Sequence, residues 1–101
     1  MDPCFEDHLT GPGHPERPER LARVRELLER SGLAARCVRV APSPADDSLL
    51  ALVHDAAQVR RVEEACRAGE LNIDSMDTAI CPESALVARL AAGSVVSLCR
   101  G

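Results

Sequence analysis

The chain has 101 residues, a formal net charge of -4 and 46% hydrophobic residues, which bounds it to one small domain burying only a modest share of its surface. The acidic balance, with no dense basic patch, argues against direct nucleic-acid binding; no apolar run is long enough for a bilayer span, and no charged-then-apolar leader opens the sequence. Five cysteines, an odd number without paired spacing, predict a reduced intracellular protein, cytoplasmic or, in a eukaryote, nuclear.

Residues 1–13 carry no usable periodicity and read as a loop ending in the turn cluster Thr10-Gly11-Pro12-Gly13. Between Gly11 and Arg20, Pro12, Pro15 and Pro18 fix φ and push the residue before each away from the α region. The result is a stiff extended arm that carries His14, Arg17 and Arg20. Pro18 then opens a helix running to about Ser31, with Glu19 favourable at its positive end. Leu21, Val24, Leu27 and Leu28 form its apolar stripe, and Gly32 is its left-handed stop, with Leu33 folding back on the last turn.

Cys37-Val38-Arg39-Val40 alternates and is rich in β-formers, the pattern of a short strand. Ser43, Pro44 and Asp46 predict the capped start of a second helix over Pro44–Val53 that buries Leu49, Leu50 and Val53. Asp55 repeats the capping logic for a third helix that ends before Gly69 and turns Val59 and Val62 inward. The stretch Leu71–Thr78 is too polar for a buried element and reads as a loop. A last helix begins near Pro82 and is aliphatic almost throughout; Gly93 on its small-residue face lets a neighbouring backbone approach. With Phe5 the sole aromatic, the core rests on Leu, Val and Ala, as in a small aliphatic domain or in part of a larger one.

Chemistry is sparse. A catalytic zinc takes about three protein ligands and keeps one position open, yet the histidines His8, His14 and His54 form no His-x-x-x-His or Asp-x-His pattern, and there is no Cys-x-x-Cys. Glu6 and His8 could chelate at i, i+2, against the plainer reading of a charged surface loop. His54 fits a packed or capping role, and Cys66 and Cys99 fit small core hydrophobes. No Ser-His-acid triad or phosphate-cradling glycine loop is visible. Taken alone, the residues do not support catalysis.

The run Gly11-Pro12-Gly13-His14-Pro15-Glu16-Arg17-Pro18-Glu19-Arg20-Leu21 closely resembles the first-loop signature of the histone deacetylase family, which includes acetylpolyamine and acetoin-utilisation-type amidohydrolases. Asp2, Phe5 and His8 ahead of it are similar in spacing to the same family. So are Val53-His54, Asp77-Thr78, Cys81-Pro82-Glu83-Ser84 and the Ala-x-Leu-Ala-Ala-Gly ending at Gly93, so the resemblance covers Asp2 to Gly93. Gln58 departs from it, standing where the family commonly has Tyr.

The resemblance implies the N-terminal portion of the arginase/deacetylase-type α/β/α fold with a parallel sheet, mainly helical within this stretch. Residues 1–101 would be a partial domain, incomplete at both ends and starting just after the first strand. It also implies zinc-dependent hydrolysis of acetyl-lysine or acetylamine amides. The family's Zn2+ ligands, catalytic histidines and transition-state tyrosine fall beyond the matched stretch, so this chain would hold no cofactor and be inactive alone.

Its contribution would be substrate-side loops. Arg20 resembles the buried arginine of the inner channel that handles acetate, or else a structural arginine tying loop carbonyls. His14 and Pro15 resemble rim residues of the pocket, or a purely structural loop. Asp77 resembles the rim acid that accepts hydrogen bonds from substrate backbone N–H groups, or an ordinary loop aspartate or helix lead-in. The expected partner is an acetylated lysine or acetylamine in the complete enzyme, with no nucleic acid, no membrane, and self-association through exposed apolar faces. The competing class is a short non-catalytic helical interaction module.

Overall fold

Asp2 accepts the Cys4 N–H at 2.9 Å and so caps a 3-10 turn over Pro3–Asp7. A plain loop was the expectation there, but a capping carboxylate followed by proline is enough to close a turn without any periodicity. The computed structural model describes residues 2–101. Its helices are α1 (Pro18–Arg30), α2 (Asp47–Leu50), α3 (Ala56–Arg67) and α4 (Ser84–Arg100), and its strands are β1 (Asn72–Ile73) and β2 (Ser75–Ala79).

Helices α1 and α3 agree with their sequence signals. Gly32 and Gly69 follow them with φ of 79° and 78°, the left-handed stop that a side chain would strain. The cap of α3 differs from expectation: Asp55 offers no side-chain bond, and its carbonyl alone accepts from Gln58 and Val59. A 3-10 turn over Ala34–Arg36 follows α1, and Leu33 ahead of it remains 47% exposed rather than covered.

The predicted second helix shrinks to the single turn α2. Asp46, not Ser43, is its cap, accepting from Leu49 N–H at 2.9 Å and from Ser48 Oγ at 2.8 Å. Leu49 and Leu50 are half-buried, but Val53 is 80% exposed. The reason lies in the preceding residues: Ser43–Ala45 run across α4 at Gly93 and cannot also be helical. A Cβ on Gly93 would lie 2.6 Å from Ala45 N and 2.7 Å from Pro44 C, and closer still to Ser43 O. Ala45 N–H donates to the Arg89 carbonyl at 2.9 Å across the same contact. The close approach expected at Gly93 is therefore present.

Two strand expectations are corrected. Residues 37–40 form no strand, and Val38 is 90% exposed; alternation makes a strand only where another lies alongside to take its hydrogen bonds, and none does among the described residues. Conversely, 72–79 is an antiparallel hairpin with an irregular register, Asn72 opposite Ala79 and Ile73 opposite Ser75. Asp74 turns it at φ 65°, and Arg61 from α3 grips that carboxylate at 2.6 and 3.1 Å. No parallel pairing occurs among the described residues, so the parallel sheet implied by the resemblance has no counterpart here.

Ala65, Cys66 and Ile80 form the core, with Val62, Ile73 and Ala85 against it. Cys66 packs as the expected small hydrophobe, whereas Cys99 is exposed on the last turn of α4. Glu6 pairs with Arg25 to hold the N-terminal turn on α1. The molecule is a slab of 42 × 35 × 17 Å with a radius of gyration of 15.0 Å, against about 13 Å for a compact domain of this length. Its accessible surface of 7369 Å² exceeds the roughly 5,500 Å² of a folded chain of this mass.

Candidate functional site

The arm Gly11–Arg17 is closed on itself before it meets anything else. Thr10 Oγ1 donates to the Glu16 carbonyl, His14 N–H reaches the Gly11 carbonyl at 3.4 Å, and Glu16 N–H donates to His14 Nδ1 at 3.1 Å. Prolines at 12, 15 and 18 leave the arm few other shapes. The His14 ring thus faces outward from a fixed turn, and its Nε2 meets the Asp77 carbonyl of β2 at 3.1 Å. A cleft of about 430 Å³ opens beside this contact, bounded by Leu9, Thr10, His14, Asn72, Met76 and Pro82 among others.

The structure therefore brings two of the four candidate site residues together. His14 and Asp77 touch, and the carboxylate of Asp77 is exposed and free to face a ligand. Pro15 follows His14 on the exposed arm. Arg20 is separate: it is exposed on the first turn of α1 and does not line the cleft.

Behind the arm lies a tight knot. His8 Nδ1 is 2.6 Å from Ser84 Oγ at the start of α4, and His8 Nε2 is 3.6 Å from the Glu16 carboxylate. Ser84 Oγ also accepts Cys81 N–H at 2.9 Å, while Cys81 Sγ accepts Leu9 N–H at 3.1 Å and faces the Asp7 carbonyl at 3.2 Å. Ser84 is only 7% exposed, so this acid–imidazole–hydroxyl chain is a structural fastening with no opening for a substrate.

A third cluster fixes the other end. Arg89 donates to Glu63 of α3 through Nε at 2.8 Å, to the Ala45 carbonyl at 3.0 Å and to Asp47 at 2.7 Å. These carboxylates hold its guanidinium above the usual arginine range, Asp47 foremost. Next to it, Leu50, Val59, Val62, Ala85 and Ala92 line an apolar groove of about 210 Å³, with His54 and Gln58 on its edge. Sequence reasoning gave Arg89, Ser84 and Cys81 no site role. Arg89 had a signal: it is the one charge between Ser84 and Cys99, in a helix otherwise uncharged until Arg100.

Glu6 is committed to Arg25 and His8 to Ser84, so the i, i+2 pair does not converge. Among the described residues no group of three or more His, Cys, Asp and Glu side chains is placed to hold a metal ion. The described residues do not fit a zinc centre. No helix of the described residues is long and apolar enough to cross a membrane.

The same backbone recurs in a larger solved domain. The chain superposes on the crystal structure of the HD domain of HDA15 with a TM-score of 0.87 and 28% identity, over 99% of this chain and 30% of that one. The fold is thus that of one part of that domain. The profile of the histone deacetylase domain matches residues 14–101, so the chain belongs to the histone deacetylase family. It is 38% identical over 85 residues to a histone deacetylase-like amidohydrolase of Pseudomonas aeruginosa, covering 84% of this chain and 22% of that protein. It is 34% identical over 105 residues to histone deacetylase 5 of Arabidopsis thaliana, covering 94% of this chain and 15% of that one. The chain therefore spans between a seventh and a quarter of these curated relatives.

Proposed function

We infer that this chain supplies the substrate-side rim of a zinc-dependent deacetylase that hydrolyses acetyl-lysine or acetylamine amides, and that it does not turn over alone. The observation that carries the reading is the meeting of the family's two loop signatures at one point, His14 Nε2 on the Asp77 carbonyl, beside an open cleft. Asp77 keeps its carboxylate available for the backbone N–H groups of a peptide, a charge-assisted bond about twice as strong as a neutral one. Zinc would polarise the amide and activate water, with its ligands supplied by the remainder of the domain and none from here. Arg20 would meet the acetate product once that remainder covers the first turn of α1, since its fork suits a carboxylate.

The surplus surface fits this arrangement. Leu27, Leu86, Val95 and Leu98 are each more than half exposed, as sides of a layer that others cover. Alone, such a slab would self-associate through those faces. Five free thiols suit a reducing, cytoplasmic setting, and the net charge of -4 suits a protein that does not bind nucleic acid directly.

The test is complementation. A polypeptide covering the rest of the domain, taken from a relative, is mixed with this chain and zinc and assayed on acetyl-lysine peptides and acetylpolyamines. Chelator-sensitive turnover by the mixture, and none by the chain alone, is the expected result. Turnover by the chain alone would overturn the inactivity. A sharp two-state melt of a dispersed monomer, with no gain from the added polypeptide, would favour the interaction module instead.

A further inference from the structure

We propose that His14 is a positioning residue for the rim: a neutral imidazole, held as its Nε2–H tautomer, that clamps the Asp77 peptide to the proline arm. Its use in substrate binding rests on the rim reading of Asp77, while the clamp itself does not. The argument is one of donors and acceptors. Glu16 N–H can only donate, so Nδ1, 3.1 Å away, must present a lone pair. The Asp77 carbonyl can only accept, so Nε2, also 3.1 Å away, must carry the hydrogen.

Of the three states an imidazole can take, one satisfies both partners. The Nδ1–H tautomer loses both bonds, and the protonated ring puts an N–H against the Glu16 N–H. The arm cannot easily yield, because prolines flank the turn and Thr10 Oγ1 ties the Glu16 carbonyl from the other side. The Asp77 side chain leaves the same Cα whose carbonyl His14 holds, so fixing that peptide fixes the direction in which the carboxylate departs. Second-sphere bonds of this kind are how sites hold ligand groups in place. A charge gained on the ring breaks the clamp from the arm side. The ionisable groups facing it are Glu16 on the arm, Asp77 on β2, Glu70 across the cleft and His8 beyond Glu16.

The experiment uses the isotope-labelled full chain and no substrate. Long-range 1H–15N correlations at neutral pH should give His14 as the Nε2–H tautomer. The Nδ1–H form, or an averaged pair, would overturn the proposal. In His14→Phe, which keeps a ring and removes both bonds, the Glu16 amide should exchange faster with solvent and the Thr78 amide resonance should move; unchanged behaviour at both would mean that the clamp is absent.

The second arm uses the complemented enzyme. There His14→Phe should raise KM for acetyl-lysine peptides roughly two- to tenfold more than for small acetylamines, the scale of one neutral hydrogen bond. A fixed tautomer with no such split would overturn the positioning role and leave the deacetylase reading intact. Failure of the complemented wild type to act on either substrate would sink that reading and leave the tautomer result standing.

Discussion

The peptide carbonyl of Ser43 lies against the bare Cα of Gly93, in the space a side chain there would occupy. All three nearest atoms are backbone, so none can swing aside. Gly93→Ala would gain about 1 kcal/mol of helix propensity, as at any interior glycine, but overpacking costs typically 1–3 kcal/mol. It would also displace the Ala45 N–H from the Arg89 carbonyl. We expect net destabilisation of about 1–2 kcal/mol, read from the urea midpoint. A stabilised variant would mean that the 43–45 segment does not rest on α4.

Arg89 binds three segments, but its partners differ in weight. Asp47 is 88% exposed and Glu63 31% exposed on their side chains. An exposed ion pair is worth little, so Asp47→Ala should leave the melting temperature nearly unchanged. Glu63→Ala strips the better-covered partner, and Arg89→Met also leaves the Ala45 carbonyl without its donor. The expected order of destabilisation is Arg89→Met, then Glu63→Ala, then Asp47→Ala, the first by about 1–3 kcal/mol. An equal effect at Asp47 would contradict this assignment.

Asp77 engages His14 through its backbone and offers its side chain to solvent. Asp77→Ala should therefore spare the melting temperature of the chain. In the complemented enzyme it should lower kcat/KM for acetyl-lysine peptides roughly ten- to a hundredfold relative to small acetylamines, as loss of a charge-assisted bond implies. Arg20→Ala should also spare the isolated chain, since the side chain is exposed, yet affect both substrate classes alike after complementation. Equal slowing of both substrates by Asp77→Ala, together with lost stability, would make Asp77 a structural loop residue.

Acid should loosen the molecule at its turns. Arg61 holds the Asp74 carboxyl below its ordinary 3.8, Ser48 with the Leu49 amide does the same for Asp46, and the Cys4 amide does so for Asp2. A depressed folded pKa gives stability that is present above the unfolded value and lost as pH falls through the folded one. The acid limb should therefore lie below about pH 4 and flatten in Asp74→Asn. At the other extreme, burial and the Asp2 carboxylate push the Cys4 thiol from 9.0 up to about 11. Its contribution is complete below pH 9 and lost as pH rises towards 11, so Cys4→Ala should flatten the alkaline limb in denaturant melts at stepped pH.

What could be read in the sequence was what local chemistry decides. Gly32 and Gly69 end their helices because left-handed φ is needed there, whatever the surroundings. Gly93 was legible as a bare spot in a helix, although nothing local said that Ser43–Ala45 would cross it. That crossing is why Pro44 does not open a helix and Asp46 does the capping. The hairpin was missed because its residues are too polar to signal a buried strand, although Asp74 is a residue type that tolerates the left-handed turn it makes under the grip of Arg61 on another element. Val38 and Val40 carry strand preference with no neighbouring strand among the described residues to satisfy it. At the candidate site, His14 and Asp77 were each found through the resemblance, but they lie 63 residues apart and no single sequence announces their contact.

The knot at His8 and Ser84 also fixes an order of assembly. It closes a span of 76 residues, whereas the Arg61–Asp74 grip closes 13. By chain statistics the longer closure costs roughly 1.6 kcal/mol more entropy. The α3–hairpin unit can therefore form early from neighbouring residues, and the N-terminal turn, already held on α1 by Glu6 and Arg25, docks on α4 last, once Ser84 and Cys81 are in place to receive it. The segment that presents the proline arm is thus also the first to let go, and its amides should exchange with solvent before those of α3.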